Sequence, residues 1–322
     1  MPETLRSAGA RAESQRAVSI NIWLRWSQSP VEFVMSLQTL ILIVLKASIL
    51  LTVLAIGLRA SAQDATYLFR RPGKFVRAFV AMAVLMPLFA VALVLVFDLN
   101  RAVEVALIAL AISPIPPILP NKLTRVGATE SYAIGLLVAA GLLAIIFVPA
   151  AIVILDQVFK APLQMTLWSI ASLVFMTIVL PLGLGTSVNR LAPTVAERLV
   201  SPISKIAILG LLLCAAAILF STVPAIWALV GNGTLVAIAA FVLVGLVIGH
   251  LLGGPEPENR AALAMATASR HPGIAIALAV ANFPKEKLAM AAVLLYLLVN
   301  ALISIPYLMW IKRPDTERQV RA

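Results

Sequence analysis

The chain has 322 residues, of which 61% are hydrophobic and only 12% charged, and its mean hydropathy is +1.02. Such values exclude a water-soluble domain with an ordinary polar surface and describe a protein that crosses a bilayer many times. The net charge of +11 does not point to nucleic acid, because the cations sit in short links between apolar runs and form no basic domain.

The N-terminus is polar through Gln15, and the first long apolar run, from about Phe33, outlasts a signal h-region, so no cleavable signal is expected. Within the tail 1–32, Val18, Ile20, Ile22, Trp23 and Trp26 alternate with Arg16 and Arg25, which predicts an amphipathic segment in the headgroup region. About nine apolar segments follow, near 33–58, 75–97, 102–119, 131–154, 163–187, 203–221, 234–252, 260–282 and 287–311. The fold class expected is therefore an all-α polytopic membrane protein, with one transmembrane domain over 33–311 and a basic tail at 312–322. An odd count puts the termini on opposite faces. If the 59–77 link faces the cytoplasm, fifteen cations collect on that side against eight on the other, and only Lys46 and Arg270 remain inside the segments. That bias predicts an N-terminus outside and a C-terminus inside the inner cell membrane. The single cysteine, Cys214, lies among leucines and alanines and reads as a small core residue, so neither a disulfide nor a metal site is expected. No cofactor is called for.

Two of the segments are interrupted. Ser113-Pro114-Ile115-Pro116-Pro117-Ile118-Leu119-Pro120 holds four prolines in eight positions. Each removes a backbone donor and crowds the preceding turn, so the helix either ends halfway across or breaks and restarts near Ile118. The second break, Arg270-His271-Pro272-Gly273, falls inside the eighth segment. Counted from the start of the first segment and of the sixth, the breaks come at comparable distances. This predicts an inverted repeat, about 33–154 and 163–311, with a binding site between the broken helices.

The stretch from Gly57 to Pro149 contains Gly57-Leu58-Arg59, Arg70-Arg71-Pro72, Met86-Pro87-Leu88, Ser113-Pro114, and Leu142-Leu143-Ala144 with Pro149. By these residues it resembles the bile acid–sodium symporter family, in which a Cys-Pro-Gly-Gly break stands in place of Ser113-Pro114. In the second half Arg260, His271-Pro272-Gly273-Ile274-Ala275 and the Asn300, Ser304 pair continue it. The resemblance implies a panel domain beside a core domain whose two broken helices cross. It also implies sodium ligands that this chain does not carry: Ala266 stands at the Glu position, Arg270 at the Gln position, and Gly135 and Val138 on the hydroxyl-bearing face. The Ser-Asn pair falls on Leu119-Pro120, although a one-residue gap brings in Asn121. Related arsenite permeases place a cysteine where Ser113 stands.

Two cations inside the membrane are expensive, about 2.5–3.5 kcal/mol each at a helix centre on insertion scales, and should face protein or water. Lys46 reads either as an anion contact or as a structural ion pair or snorkelling stem. Arg270 cannot be neutralised and presents a planar fork to carboxylate or sulfonate groups, and no acid occurs within its own segment or, Glu104 apart, within the first broken one. Lys122 reads as the mouth of a cavity or as an ordinary positive-inside link. His271 titrates near neutral pH or is a satisfied core histidine, and His250 reads as interfacial. Ser113, Asn121, Thr267, Ser269 and Asn300 complete the candidate substrate contacts, beside the break residues Pro114, Pro116, Pro117, Pro272 and Gly273. All fourteen acids lie in tails, links or helix ends, and no nucleophile stands beside a base, so an enzyme is not expected. The function expected is secondary transport of a small organic anion by alternating access, without sodium at the family's usual sites. The alternative is a non-transporting sensor or partner subunit on the same scaffold.

Overall fold

The computed structural model describes residues 39–125, 127–159 and 167–320, with side chains omitted at 156, 158, 159, 167 and 312–320. The amphipathic segment expected in the tail 1–32 lies outside the described residues. The chain divides into two units, Met1–Ala47 and Ser48–Ala322. In the first, the described residues are helical and include Lys46, whose side chain is exposed.

All regular structure among the described residues is helical. Among the described residues, eight stretches are long and apolar enough to cross a membrane: Thr39–Gly57 (α1), Pro72–Val96, Glu130–Leu155, Trp168–Leu191, Pro193–Trp227, Thr234–Leu252, Pro257–Asn282 and Ala289–Ile311. Together with the shorter, interrupted segment from Arg101 to Thr124, they are the nine segments that hydropathy marks. The molecule is an all-α polytopic membrane protein. Leu95, Val96, Ile146, Phe220 and Leu251 stand exposed on its outside. That placement is costly in water and favourable in hydrocarbon.

A short helix α2 (Ala62–Ala65) follows α1, and α3 (Pro72–Phe79) continues through a π-helical segment, Val80–Leu85, into α4 (Met86–Val96). A second π segment, Phe175–Val179, joins α8 (Leu167–Val174) to α9 (Leu180–Leu191). Both are followed at once by an X-Pro pair, Met86-Pro87 and Leu180-Pro181. Proline offers no N–H and crowds the carbonyl four residues back, and widening the preceding turn is one way a helix absorbs that defect.

The first interrupted segment consists of α5 (Arg101–Ile112) and α6 (Leu119–Thr124), followed by α7 (Glu130–Phe159). Beyond α10 (Pro193–Trp227) and α11 (Thr234–Leu252) come the second interrupted pair, α12 (Pro257–Ala268) and α13 (Pro272–Asn282), and then α14 (Ala289–Val320). The sequence expectation ended the sixth segment at 203 and 221, whereas α10 extends past both ends. Pro193 opens it, and exposed Glu197, Arg198 and Ser201 occupy the added N-terminal turns where water satisfies them. Likewise α14 carries on through the region expected as a tail.

The second interrupted segment is the least apolar span, mean hydropathy 1.2, and the most enclosed, 72% buried where no other span exceeds 39%. Glycines hold it there. A Cβ at Gly245 or Gly249 of α11, or at Gly253 that caps it, would stand 2.9, 2.4 or 2.3 Å from the Cα of Ala268, Ala264 or Arg260 respectively. The four-residue step on each helix lets the two backbones approach along a whole stripe, as small residues do inside membranes.

Candidate functional site

Proline chemistry determines the polar geometry at the two breaks. In the second, α12 stops at Ala268, whose carbonyl would ordinarily accept the N–H four residues on; that residue is Pro272, which has none. Tyr296 of α14 repairs the gap. Its hydroxyl donates to the Ala268 carbonyl at 2.5 Å and accepts the Arg270 N–H at 2.8 Å. His271 caps α13, its Nδ1 accepting the Ile274 N–H at 3.3 Å. That bond requires Nδ1 without a proton, so in the neutral ring Nε2 carries it.

The first break leaves carbonyls in the same condition. Ser113 caps the end of α5, and the residue that would serve its carbonyl is Pro117. In the π segment, the Met86 N–H reaches back to Ala81, while the next residue, Pro87, has no donor, so the Met82 carbonyl is stranded too. Arg270 serves both. Its Nη1 donates to the Ser113 carbonyl at 3.2 Å and its Nη2 to the Met82 carbonyl at 3.0 Å. Beside them the His271 N–H donates to the Pro114 carbonyl at 2.7 Å. The two breaks therefore meet, Ser113-Pro114 against Arg270-His271.

Arg270 is 2% exposed, and it takes part in none of the ion pairs among the described residues, which are Arg59–Glu130, Lys74–Glu256 and Arg101–Glu104. Its charge is met by the two carbonyl oxygens and by the ends of two half-helices. α5 ends at Ile112 with Ser113 as its cap and α12 at Ala268 with Ser269 as its cap, and each helix C-terminus carries roughly −0.5 charge, offset in part by the N-termini of α6 and α13 that follow the breaks. The sequence reading found no acid to pair with Arg270 and looked to an anionic ligand; it did not foresee the backbone carbonyls that the structure places on the guanidinium. Among the described residues Nε of Arg270 and Nε2 of His271 are left without a hydrogen-bond partner, although both are buried. Arg270 also lines a cavity of about 30 Å³ with Phe79, Met82, Ile112, Ser113 and Phe147.

The other candidate residues are placed variously. The Ser113 hydroxyl donates to the Leu110 carbonyl at 2.9 Å and the Thr267 hydroxyl to the Leu263 carbonyl at 2.7 Å, so the proton of each is engaged within its own helix. Ser269 joins a chain near the crossing: Asn300 Nδ2 donates to its Oγ at 3.4 Å, and Ser304 Oγ donates to Asn300 Oδ1 at 3.2 Å. Asn121 is elsewhere, its Oδ1 taking the Arg59 Nη2–H at 2.8 Å where Arg59 also faces Glu130 at 3.6 Å. Lys122 is exposed on α6 and does not line the cavity. Lys46 is exposed in its own unit. Sequence reading missed Met82 and Tyr296. Pro87, five residues after Met82, and Pro272, four after Ala268, were the available signals, but they name the stranded carbonyl and not its donor.

A model of the Sodium Bile acid symporter family matches residues 39–229. The chain belongs to that family. No curated protein matches it. Membership makes it a membrane transporter of the bile acid symporter type, embedded in the bilayer and acting on a small molecule. The family match includes the first break and ends before α11, so Arg270, His271 and Tyr296 of this Sodium Bile acid symporter family member lie beyond the matched residues.

Proposed function

We propose that this chain carries a small organic anion by alternating access, with Arg270 as the cationic contact and with no sodium at the positions the family resemblance indicates. The observation that carries the anion reading is a guanidinium that is 2% exposed, lines a cavity, has no carboxylate partner among the described residues, and keeps an unpaired Nε. His271 Nε2 is a second unpaired donor one residue away. A cavity of about 30 Å³ admits water but no organic ion. Binding therefore requires the crossing to open, which supports rearrangement of the two repeats, about 33–154 and 163–311, around the breaks. The fifteen-to-eight bias of cations supports an N-terminus outside and a C-terminus inside.

Sodium fits poorly. A hard cation takes several oxygens, preferably with a carboxylate. Ala266 and Gly135 are buried and carry no oxygen in their side chains, Val138 carries none either, and the Asn121 oxygen is engaged by Arg59. The test is uptake of radiolabelled carboxylates and sulfonates into proteoliposomes. Saturable uptake is expected, unchanged when potassium replaces sodium and abolished in Arg270→Gln. Absence of flux for every anion, with and without ion gradients, would show a non-transporting protein, and normal uptake by Arg270→Gln would remove Arg270 from the site. A tenfold affinity gain in sodium, about 1.4 kcal/mol, would overturn sodium independence.

A further inference from the structure

We propose that the Arg270 guanidinium is a built-in substitute for a coupling cation: the crossing contains a monovalent-cation site made of backbone carbonyls, and the chain fills it permanently with its own side chain. This goes beyond the anion reading and does not rest on it, since it concerns the Nη edge of the guanidinium and not the unpaired Nε.

The Ser113 and Met82 carbonyls belong to different segments, and each has lost its helical donor to a proline, Pro117 in one case and Pro87 in the other. One planar group reaches both, through its two terminal nitrogens, at 3.2 and 3.0 Å. Unwound carbonyls and half-helix C-termini are what broken transporter helices use to hold a small cation. Here the C-terminal ends of α5 and α12 both lie at the crossing and add partial negative charge to the carbonyls without a carboxylate. No ion pair among the described residues competes for Arg270. A guanidinium satisfies the same oxygens as a free ion and cannot leave, so the crossing stays neutralised whether or not salt is present. Removing the side chain exposes both oxygens and vacates space for a cation with its remaining water ligands.

The experiment is thermal unfolding of the purified full-length protein in detergent, at equal ionic strength in sodium, potassium or choline chloride. The wild-type midpoint is expected to be the same in all three. Arg270→Gly is expected to melt lower in choline and to recover by several degrees in sodium or potassium, and also with millimolar methylguanidinium. Indifference of Arg270→Gly to every small cation, or wild-type stability in choline, would overturn the proposal. Should Arg270→Gly not be recovered, Arg270→Lys and Arg270→Gln decide: Lys keeps a tethered charge, Gln keeps N–H donors without charge. Lys is expected to melt nearer to wild type and to ignore the salt. An equal or reversed order would show that charge is not what the site needs. Loss of anion uptake alongside these cation responses would remove the anion reading and leave this one standing.

Discussion

The two breaks solve one problem in opposite ways. The first, between Ile112 and Leu119, contains Pro114, Pro116 and Pro117 and contributes acceptors: the Ser113 and Pro114 carbonyls. The second, between Ala268 and Pro272, is three residues long and contributes donors: the His271 N–H and the Arg270 guanidinium. Within a bilayer neither kind of group can turn to water, so an interrupted helix persists only where protein completes its hydrogen bonds. Each break here is half of a complete set. The lesson is that the proline-rich break, conspicuous in sequence, is passive, while the short one carries the chemistry.

The largest effect that sharpens this contrast should come from Tyr296→Phe. The aromatic ring and its packing remain, but the Ala268 carbonyl and the Arg270 N–H both lose their partner. Two buried groups left unsatisfied cost about 2–5 kcal/mol, read as a lower midpoint in chemical or thermal unfolding of the detergent-solubilised protein. Stability within experimental error of wild type would mean that the break is satisfied some other way.

Gly249→Ala comes next. Its Cβ would meet the Ala264 Cα at 2.4 Å, a backbone atom that cannot swing aside, so α12 must move away from α11. Overpacking of this kind costs about 1–3 kcal/mol. Because α12 positions Arg270, the substitution should also reduce anion uptake, whereas Gly183→Ala, where an added Cβ meets nothing within 4 Å, should change neither quantity.

The smallest expected effect lies outside the spans, where water shares the task of satisfying polar groups. Burial raises the Asp64 carboxyl pKa, but bonds from Ser131 Oγ, Ser61 Oγ and the Ser61 N–H outweigh it and hold the group below its ordinary value of 3.8. A depressed carboxylate contributes stability that is complete above its unfolded value and is lost as pH falls through the folded one. The unfolding midpoint should therefore drop on acidification below about pH 4, with a shallower drop in Asp64→Asn. Identical pH profiles for the two proteins would show that the cap contributes nothing.

Much of the architecture was decided by the sequence itself. Apolar runs of bilayer length leave helices as the way to satisfy the backbone, and the cations, Lys46 and Arg270 apart, are confined to tails and links. The positions of both breaks followed from proline, because its missing N–H acts locally and needs no knowledge of neighbours. The importance of Arg270 was legible for a similar reason: a permanently charged group within an apolar span demands compensation wherever it goes. What compensates it was not legible. The Met82 carbonyl lies 188 residues away and the Ser113 carbonyl 157, and backbone oxygens have no letter in the sequence. Nor do the letters tell that Tyr296 bonds the break, that Asn121 bonds Arg59 or that Lys122 is exposed, since those depend on which side of each helix the fold turns inward. Pairwise approach across the fold decided the site; local chain chemistry decided where the fold was interrupted.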